Sequence, residues 1–311
     1  MNKVLTILFQ ATIIFLGEVF TGLYRFVLCI RKKPKNINGQ LALVTGGARG
    51  LGKAIAERLA QEGCNLAICD VHLDEAQRTC EELQKKYKIS CEAFKADVSD
   101  TQQVDSLHKE ITEKMGVVDI LVNNAGILAP LGILEGEDAD VSRVINVNLT
   151  SHFWMVRKFL PAMIEQKRGH ILGISSSAAK YTPPFSVAYC ASKFGSSGFY
   201  RSMFTDLCMY DYHKFIKITT AYPGFINTRN DLEEFMDIAS ELTPRMSPKY
   251  AAKQIVNAML MNKQEIFFPF VYRVAAYLEE VLPPKTVYYV RRVLSSNGTD
   301  LKEQRISMAR K

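Results

Sequence analysis

The sequence predicts an α/β domain in which a parallel sheet is covered by helices on both faces. Three observations carry this reading. Short apolar runs alternate with helical stretches from Leu41 to Phe268, the order that βαβ units produce. A glycine-rich turn separates the first apolar run from the helical stretch that follows it. The chain has 311 residues, 48% hydrophobic and 23% charged. That balance excludes a disordered, collagenous or disulfide-knotted architecture.

The elements follow in order. Leu41–Thr45 (LALVT) is a short apolar run closed by turn residues, read as a buried strand. Residues 51–61 place Ala54, Ile55, Leu59 and Ala60 at helical spacing. A strand at 65–70 (NLAICD), a helix at 74–86, a strand at 90–96, a helix at 101–115 and a strand at 119–122 (DILV) come next. A long helix over about 140–166 leads to a strand at 170–175 (HILGIS). A second long helix over about 186–212 leads to a strand at 215–221 (FIKITTA). Residues 247–262 are read as helical and 266–268 as a last short strand. Ligands of such sheets bind at the strand C-terminal edge, so insertions after the later strands should wall the substrate.

The two ends differ from the middle. Residues 4–24 (VLTILFQATIIFLGEVFTGLY) carry Glu18 as their one charge, and RKKPK follows at 31–35. A span needs about 20 mostly apolar residues, so the segment is long enough for a membrane anchor. Glu18 weakens that reading, because a carboxylate in hydrocarbon costs about 2.5 kcal/mol or more. A cleaved signal peptide and a soluble packing helix are the alternatives. The cations after the segment favour a cytosol-facing domain. Residues 266–294 mix Phe, Tyr and Val with Arg and Lys, a composition suited to a bilayer interface or to a subunit contact. The expected organisation is therefore an anchor and basic flank at 1–35, a catalytic domain at 36–270, and an interface segment with a polar tail at 271–311.

Seven cysteines (29, 64, 69, 80, 91, 190 and 208) are scattered, odd in number and without a C-x-x-C pair. They read as reduced thiols. The net charge of +7 is spread along the chain, and no basic, aromatic-interleaved patch argues for a nucleic-acid partner.

Thr45-Gly-Gly-Ala-Arg-Gly-Leu-Gly52 sits between the first strand and its helix, with Gly46, Gly50 and Gly52 spaced G-x-x-x-G-x-G. Glycine permits a tight turn and close backbone approach, and a diphosphate can then meet the helix N-terminus. Asp70 ends the second strand. A carboxylate there accepts hydrogen bonds from an adenosine ribose and repels a 2′-phosphate, which favours NAD. Arg49 keeps NADP open as the alternative, since a cation in the loop can hold that phosphate. Asn123-Asn124-Ala125-Gly126 follows the fourth strand as a turn or as a loop bordering the adenosine. Tyr189 and Lys193 lie four apart on a helix and so share a face. A phenol has a pKa of about 10, and a neighbouring ammonium is expected to lower it. Ser176 lies thirteen positions before Tyr189, and Asn148 lies in the long preceding helix.

These motifs resemble the short-chain dehydrogenase/reductase family over roughly residues 39–262, with Asp97-Val98, N-V-N at 146–148, Pro223-Gly224 and Thr228 completing the set. The resemblance implies a single Rossmann-like, doubly wound domain with a seven-stranded parallel sheet. It implies a catalytic tetrad of Asn148, Ser176, Tyr189 and Lys193, with Ser175 and Ser177 as weaker choices for the serine. It implies a cofactor-contacting set of Gly46, Arg49, Gly50, Leu51, Gly52, Asp70, Asp97, Val98, Asn124, Ala125, Gly126, Tyr189, Lys193, Pro223, Gly224 and Thr228. In this set Asp97 meets the adenine, and Pro223-Gly224 with Thr228 flank the nicotinamide. Ala179 departs from the glycine often found after the serine run. The apolar N-terminus, the basic stop and F-L-P-A-M-I at 159–164 are similar to the membrane-associated retinol and 17β-hydroxysteroid dehydrogenase branch.

The expected function is hydride transfer between a nicotinamide and a lipophilic alcohol such as retinol or a hydroxysteroid, in the oxidising direction. Residues 127–134, 178–188 and 230–246 would wall that substrate. The expected setting is the endoplasmic reticulum membrane or a lipid-droplet surface. A homodimer would form through the two long helices, with Phe153, Trp154, Phe199 and Phe204 as contacts or as core. An NADPH-linked carbonyl reductase and a non-catalytic membrane or lipid-droplet scaffold are the competing readings.

Overall fold

The computed structural model describes residues 33–129, 132–180, 182–183, 186–227, 245–283, 285–287 and 289, together with Thr12 and Gly17. The chain divides into the units Met1–Lys35 and Asn36–Lys311. Seven strands belong to the second: β1 (Leu41–Thr45), β2 (Asn65–Asp70), β3 (Cys91–Lys95), β4 (Ile120–Asn123), β5 (Gly169–Ile174), β6 (Ile216–Pro223) and β7 (Glu265–Phe268). Its helices are α1 (Gly50–Gln61), α2 (Leu73–Tyr87), α3 (Thr101–Met115), α4 (Asp138–Ile145), α5 (Ser151–Glu165), α6 (Val187–Met209), α7 (Pro248–Leu260) and α8 (Val271–Val281).

The strands form one sheet in the order β3-β2-β1-β4-β5-β6-β7, and every neighbouring pair runs parallel. Side chains on a strand alternate between faces. Ala42 and Val44 therefore pack with Ile55 and Leu59 of α1 and Ile255 and Met259 of α7. Leu41 and Leu43 pack the other way, with Leu107 of α3, Phe159 of α5 and Leu207 of α6. Two cores sandwich the sheet, which is why β1, β4 and β5 are buried along their whole length. The strand order reverses between β1 and β4, and the crevice for a ligand opens outside the C-terminal ends of those strands.

The strands and most helices fall within a few residues of the expected positions. The helix expected over 140–166 is the main correction. It is two helices, α4 and α5, joined by a π turn at Asn146–Thr150. The wider turn leaves carbonyls that side chains take up: Thr150 Oγ1 donates to Asn146 O at 3.0 Å and Ser151 Oγ to Val147 O at 2.6 Å. Periodicity alone does not register the extra residue in that turn. The second long helix is shorter than expected, Val187–Met209. Residues 271–281, read only as an interface segment, form α8.

Among the described residues no helix is long and apolar enough to cross a membrane. The expected anchor at 4–24 lies outside them apart from Thr12 and Gly17. Cys64, Cys69, Cys80, Cys91 and Cys190 are buried and Cys208 is half-buried, and none of these six is in a disulfide. Cys29 lies outside the described residues.

Candidate active site

The glycine turn is locked to the sheet centre by one side chain. Thr45 Oγ1 donates to Val122 O at 3.1 Å and accepts from the backbone N–H of Asn124 and Ala125 at 3.0 and 3.1 Å. Asn124 returns the contact through Nδ2, which donates to Thr45 O at 2.9 Å and Gly46 O at 3.1 Å. Gly46 and Gly50 hold φ of 62° and 57°, a region that favours glycine. A Cβ on Gly52 would lie 2.6 Å from Asn124 Nδ2 and 2.8 Å from the Gly46 carbonyl carbon, and closer still to its oxygen. The turn is thus as tight as backbone allows. Arg49, at the N-cap of α1, supplies no side-chain cap, so that helix end presents its first N–H groups to an anion.

The Asp70 carboxylate is oriented by backbone. Oδ2 accepts from Ala48 N and Oδ1 from His72 N, each at 3.1 Å. Among the described residues no salt bridge ties Arg49 to Asp70. The Asp97 carboxylate accepts from Ser99 N at 2.9 Å and Ser99 Oγ at 2.6 Å.

The second half of the site stands where β5 ends. Ser176 Oγ accepts from Ala178 N at 3.1 Å, and the Ser176 side chain hydrogen-bonds Tyr189. Ser175 is committed elsewhere: its Oγ donates to Lys193 O at 3.1 Å and accepts from Ser196 Oγ at 3.1 Å. One turn after Tyr189 on α6, Lys193 Nζ sits 5.7 Å from the centroid of the Tyr189 ring and donates to Ile174 O at 3.2 Å. Asn148 is fully buried. Its Oδ1 accepts from Ile127 N at 2.8 Å, and Nδ2 donates to Ile127 O at 2.8 Å and to Ser192 Oγ at 3.1 Å. A Cβ on Gly126 would lie 3.3 Å from Asn148 Oδ1 and 3.7 Å from Lys193 Nζ, so these groups converge on one glycine.

The electrostatics correct one expectation. The Tyr189 phenol is pushed above its ordinary range by burial, with the Ser176 hydrogen bond opposing the shift. Lys193 lies over the face of the ring, and its own pKa is brought down to about 8 by burial. Burial therefore leaves the protein by itself holding a neutral phenol. Behind Lys193, His152 Nδ1 meets the Tyr200 hydroxyl at 3.0 Å, and Asn123 Nδ2 donates to the same hydroxyl at 3.1 Å. Burial, aided by the nearby Lys193 charge, takes His152 down to about 3, which keeps a second cation out of the site.

One cleft of ≈ 600 Å³ gathers these parts, within the usual range of about 300–1,000 Å³ for ligand sites. Gly46, Arg49, Gly50, Leu51, Gly52, Asp70, Asp97, Val98, Asn124, Ala125, Gly126, Ser176, Tyr189, Lys193, Pro223 and Gly224 all line it. Asn148 stands behind the wall, and Thr228 lies outside the described residues. Of the expected substrate walls, Ile127, Leu128, Ala178, Pro183 and Ser186 contribute. Ile133 and Leu134 do not: they are 79% and 96% exposed. The turn in which Glu135 N donates to Gly132 O and Glu135 Oε2 accepts from Gly132 N carries them away. Residues 230–244 of the third expected wall lie outside the described residues. His72, Arg143, Val147 and Tyr272 also line the cleft. Val147 sits inside the N-V-N motif but was not singled out there, and Tyr272 carried no local signal.

A family model described as short chain dehydrogenase matches residues 40–238. Epidermal retinol dehydrogenase 2 from Homo sapiens is 34% identical over 275 residues, 88% of each chain. Estradiol 17-beta-dehydrogenase 11 from Mus musculus is 30% identical, covering 83% of this chain and 85% of that one. Among solved structures, a short chain dehydrogenase/reductase from Burkholderia phymatum in complex with NAD superposes with a TM-score of 0.72 at 23% identity, covering 86% of this chain and 98% of that chain.

Proposed function

The chain belongs to the short-chain dehydrogenase family, and we propose that it oxidises a lipophilic secondary or primary alcohol of the retinol or hydroxysteroid type, with NAD as hydride acceptor. The observation that carries this is the Ser176–Tyr189 hydrogen bond beside Lys193, in the same cleft as the glycine turn and Asp70. The residues fit a dinucleotide. The turn offers a cradle that a Cβ at Gly52 would fill, an uncapped helix end and a carboxylate fixed at the end of β2. Gly46 to Gly52 would hold its diphosphate, Asp70 its adenosine ribose, and Asp97, Val98 and Asn124 to Gly126 its adenine side. Pro223 and Gly224 would border its nicotinamide.

When bound, the nicotinamide supplies the hydride acceptor. The protein's part is the proton. Ser176 holds the substrate oxygen and steadies negative charge developing on it. Tyr189 takes the hydroxyl proton as its phenolate, and returns it in the reverse reaction as its phenol. Lys193 would hold the nicotinamide ribose and contributes positive charge beside the phenol. Both Asn148 amide hydrogens are in use and Oδ1 already accepts from Ile127 N, so any water it orients is held by the one remaining lone pair of Oδ1.

The apolar walls Ile127, Leu128, Ala178 and Pro183 favour a lipophilic substrate, and the names of the two relatives agree with that class. Residues 4–24 anchor the chain to the endoplasmic reticulum membrane or a lipid droplet, with the domain facing the cytosol. Homodimerisation runs through α5 and α6. Phe153 supports it, 41% exposed with its ring centroid 4.2 Å from that of Phe199. Trp154, Phe199 and Phe204 pack in part against the core.

The raised phenol and the exposed Arg49 favour a second reading, an NADPH-linked carbonyl reductase, because a neutral phenol is poised to donate. Titration of the protein with NADH and NADPH separates the two, since tighter NADPH binding selects the reductase. Tyr189→Phe should lower turnover about 10²- to 10⁴-fold and leave cofactor affinity nearly unchanged. Near-normal turnover in that variant overturns the assignment of the proton to Tyr189.

A further inference from the structure

α8 has two apolar faces, and among the described residues only one of them is covered. The chain leaves β7 where Phe268 pairs with Pro223 and accepts a hydrogen bond from Gly224 N at 2.9 Å. α8 begins three residues later, at the sheet edge where β5 also ends in the serine run. Tyr272, on its first turn, is 5% exposed and lines the cleft. A Cβ on Gly224 would lie 2.9 Å from Tyr272 Cδ2 and 3.0 Å from Cζ, and closer to Cε2. The ring therefore lies directly on the Gly224 backbone. Ala276, one turn on, is buried on the same side.

At about 100° per residue, Phe270, Val274, Tyr277, Leu278 and Val281 occupy an arc of about 100° opposite Tyr272 and Ala276. All five are exposed, from 44% at Val274 and Leu278 to 67% at Phe270. A surface helix ordinarily turns polar residues outward, and a contiguous apolar face marks an interaction surface. Arg273 and Glu280 sit on the flank of this stripe rather than within it. From Val271 to Leu294 the sequence carries Arg273, Lys285, Arg291 and Arg292 against Glu279 and Glu280, a net charge of 4 − 2 = +2. That net charge complements anionic headgroups. A second copy of the same surface would instead bring like net charge against it.

We propose that α8 is an entrance helix whose outer stripe rests on an anionic phospholipid surface while Tyr272, on its inner face, walls and sorts the lipophilic alcohol entering the cleft from that surface. This rests on the dehydrogenase reading for the nature of what enters. The lipid then serves as both cover and source. A protein partner seated on the stripe would cover the same helix and deliver nothing.

The full-length protein carrying Leu278→Trp is mixed with phosphatidylcholine/phosphatidylglycerol vesicles containing brominated acyl chains. The chain has one native tryptophan, so wild type supplies the baseline. The variant should lose at least about a third more emission than wild type, since bromine quenches only indole seated at the acyl boundary. Equal quenching in the two proteins overturns the docking, as does emission from the introduced indole that is already blue-shifted without lipid in a cross-linkable oligomer. In a second arm, Val274→Glu with Leu278→Glu should lower kcat/KM about tenfold or more for a long-chain secondary alcohol in vesicles, and leave a short water-soluble alcohol within about twofold. Equal loss on both overturns the entrance. Tyr272→Ala should shift the long-to-short selectivity about fivefold or more through KM rather than kcat, and an unchanged ratio removes its sorting role. If wild type oxidises neither alcohol with either dinucleotide, the dehydrogenase reading falls, while the quenching still judges the docking alone.

Discussion

Replacing Gly52 with alanine tests the cradle at its tightest point. In the interior of α1 the substitution should gain up to about 1 kcal/mol from helix propensity. Sterics oppose this. The new Cβ would lie 2.6 Å from Asn124 Nδ2 against an ordinary contact of 3.4 Å, a shortfall of 3.4 − 2.6 = 0.8 Å, and the shortfall at the Gly46 oxygen is larger. Gly46 cannot simply retreat. Its N–H donates to Cys69 O at 2.7 Å and its carbonyl accepts from Asn124 at 3.1 Å. Overpacking costs about 1–3 kcal/mol, and two strained hydrogen bonds add about 0.5–1.5 kcal/mol each. The clash wins by about 3 kcal/mol at the middle of these ranges, which lowers Tm by about 6–12 °C for a domain of this size. Because the displaced groups are those that would face a diphosphate, the NADH Kd should rise about 100-fold or more, equivalent to about 2.7 kcal/mol. Fluorescence titration and thermal melts measure both. Gly198→Ala on α6 is the control: nothing lies within 4 Å of its added Cβ, so it should gain about 0.5–1 kcal/mol with cofactor binding intact. A fall in its Tm would instead place a second copy against α6. Wild-type Kd and Tm in Gly52→Ala would refute the close approach itself.

Asp70→Ala should weaken NADH about 10- to 100-fold while sparing NADPH, because it removes charged hydrogen bonds and a like-charge repulsion; an unchanged NADH-to-NADPH ratio counts against the ribose contact. Burial lowers Lys193 from 10.5 to about 8, so the unfolded chain keeps this proton to higher pH. Wild type should therefore gain on Lys193→Met by about 3 kcal/mol between pH 8 and 10.5, the penalty being fully present below pH 8 and relieved above it. Parallel denaturation curves over that window would show that the ammonium is not desolvated. Since burial raises Tyr189, kcat/KM for alcohol oxidation should still be climbing at about pH 9. A plateau already reached near about pH 7 would mean a lowered phenol, as its spacing from Lys193 suggests.

The cofactor half of the site was legible because its parts are local. The turn from β1 into α1, the carboxylate ending β2 and the N-N-A-G after β4 are each short segments at strand C-terminal ends, where a parallel sheet must collect them. Tyr189 and Lys193 were legible for a similar reason, since four residues on one helix fix a shared face. Asn148 was found by motif within the expected helical stretch, but the π turn that carries it was not legible, because it adds a residue that a 3.6-residue period does not contain.

Sequence alone therefore settled the order of strands and helices and the glycine turn, which follow from periodicity and neighbour spacing, while most of the candidate site residues came from the resemblance to the family. The folded chain supplied what depends on distance in space. It set Ser176 rather than Ser175 against Tyr189, laid Tyr272 on Gly224 from a separate element, and left the outer stripe of α8 uncovered among the described residues. It also removed the water around Tyr189 and Lys193, which raises the phenol and lowers the ammonium in the protein alone, and no residue spacing records how much water is removed.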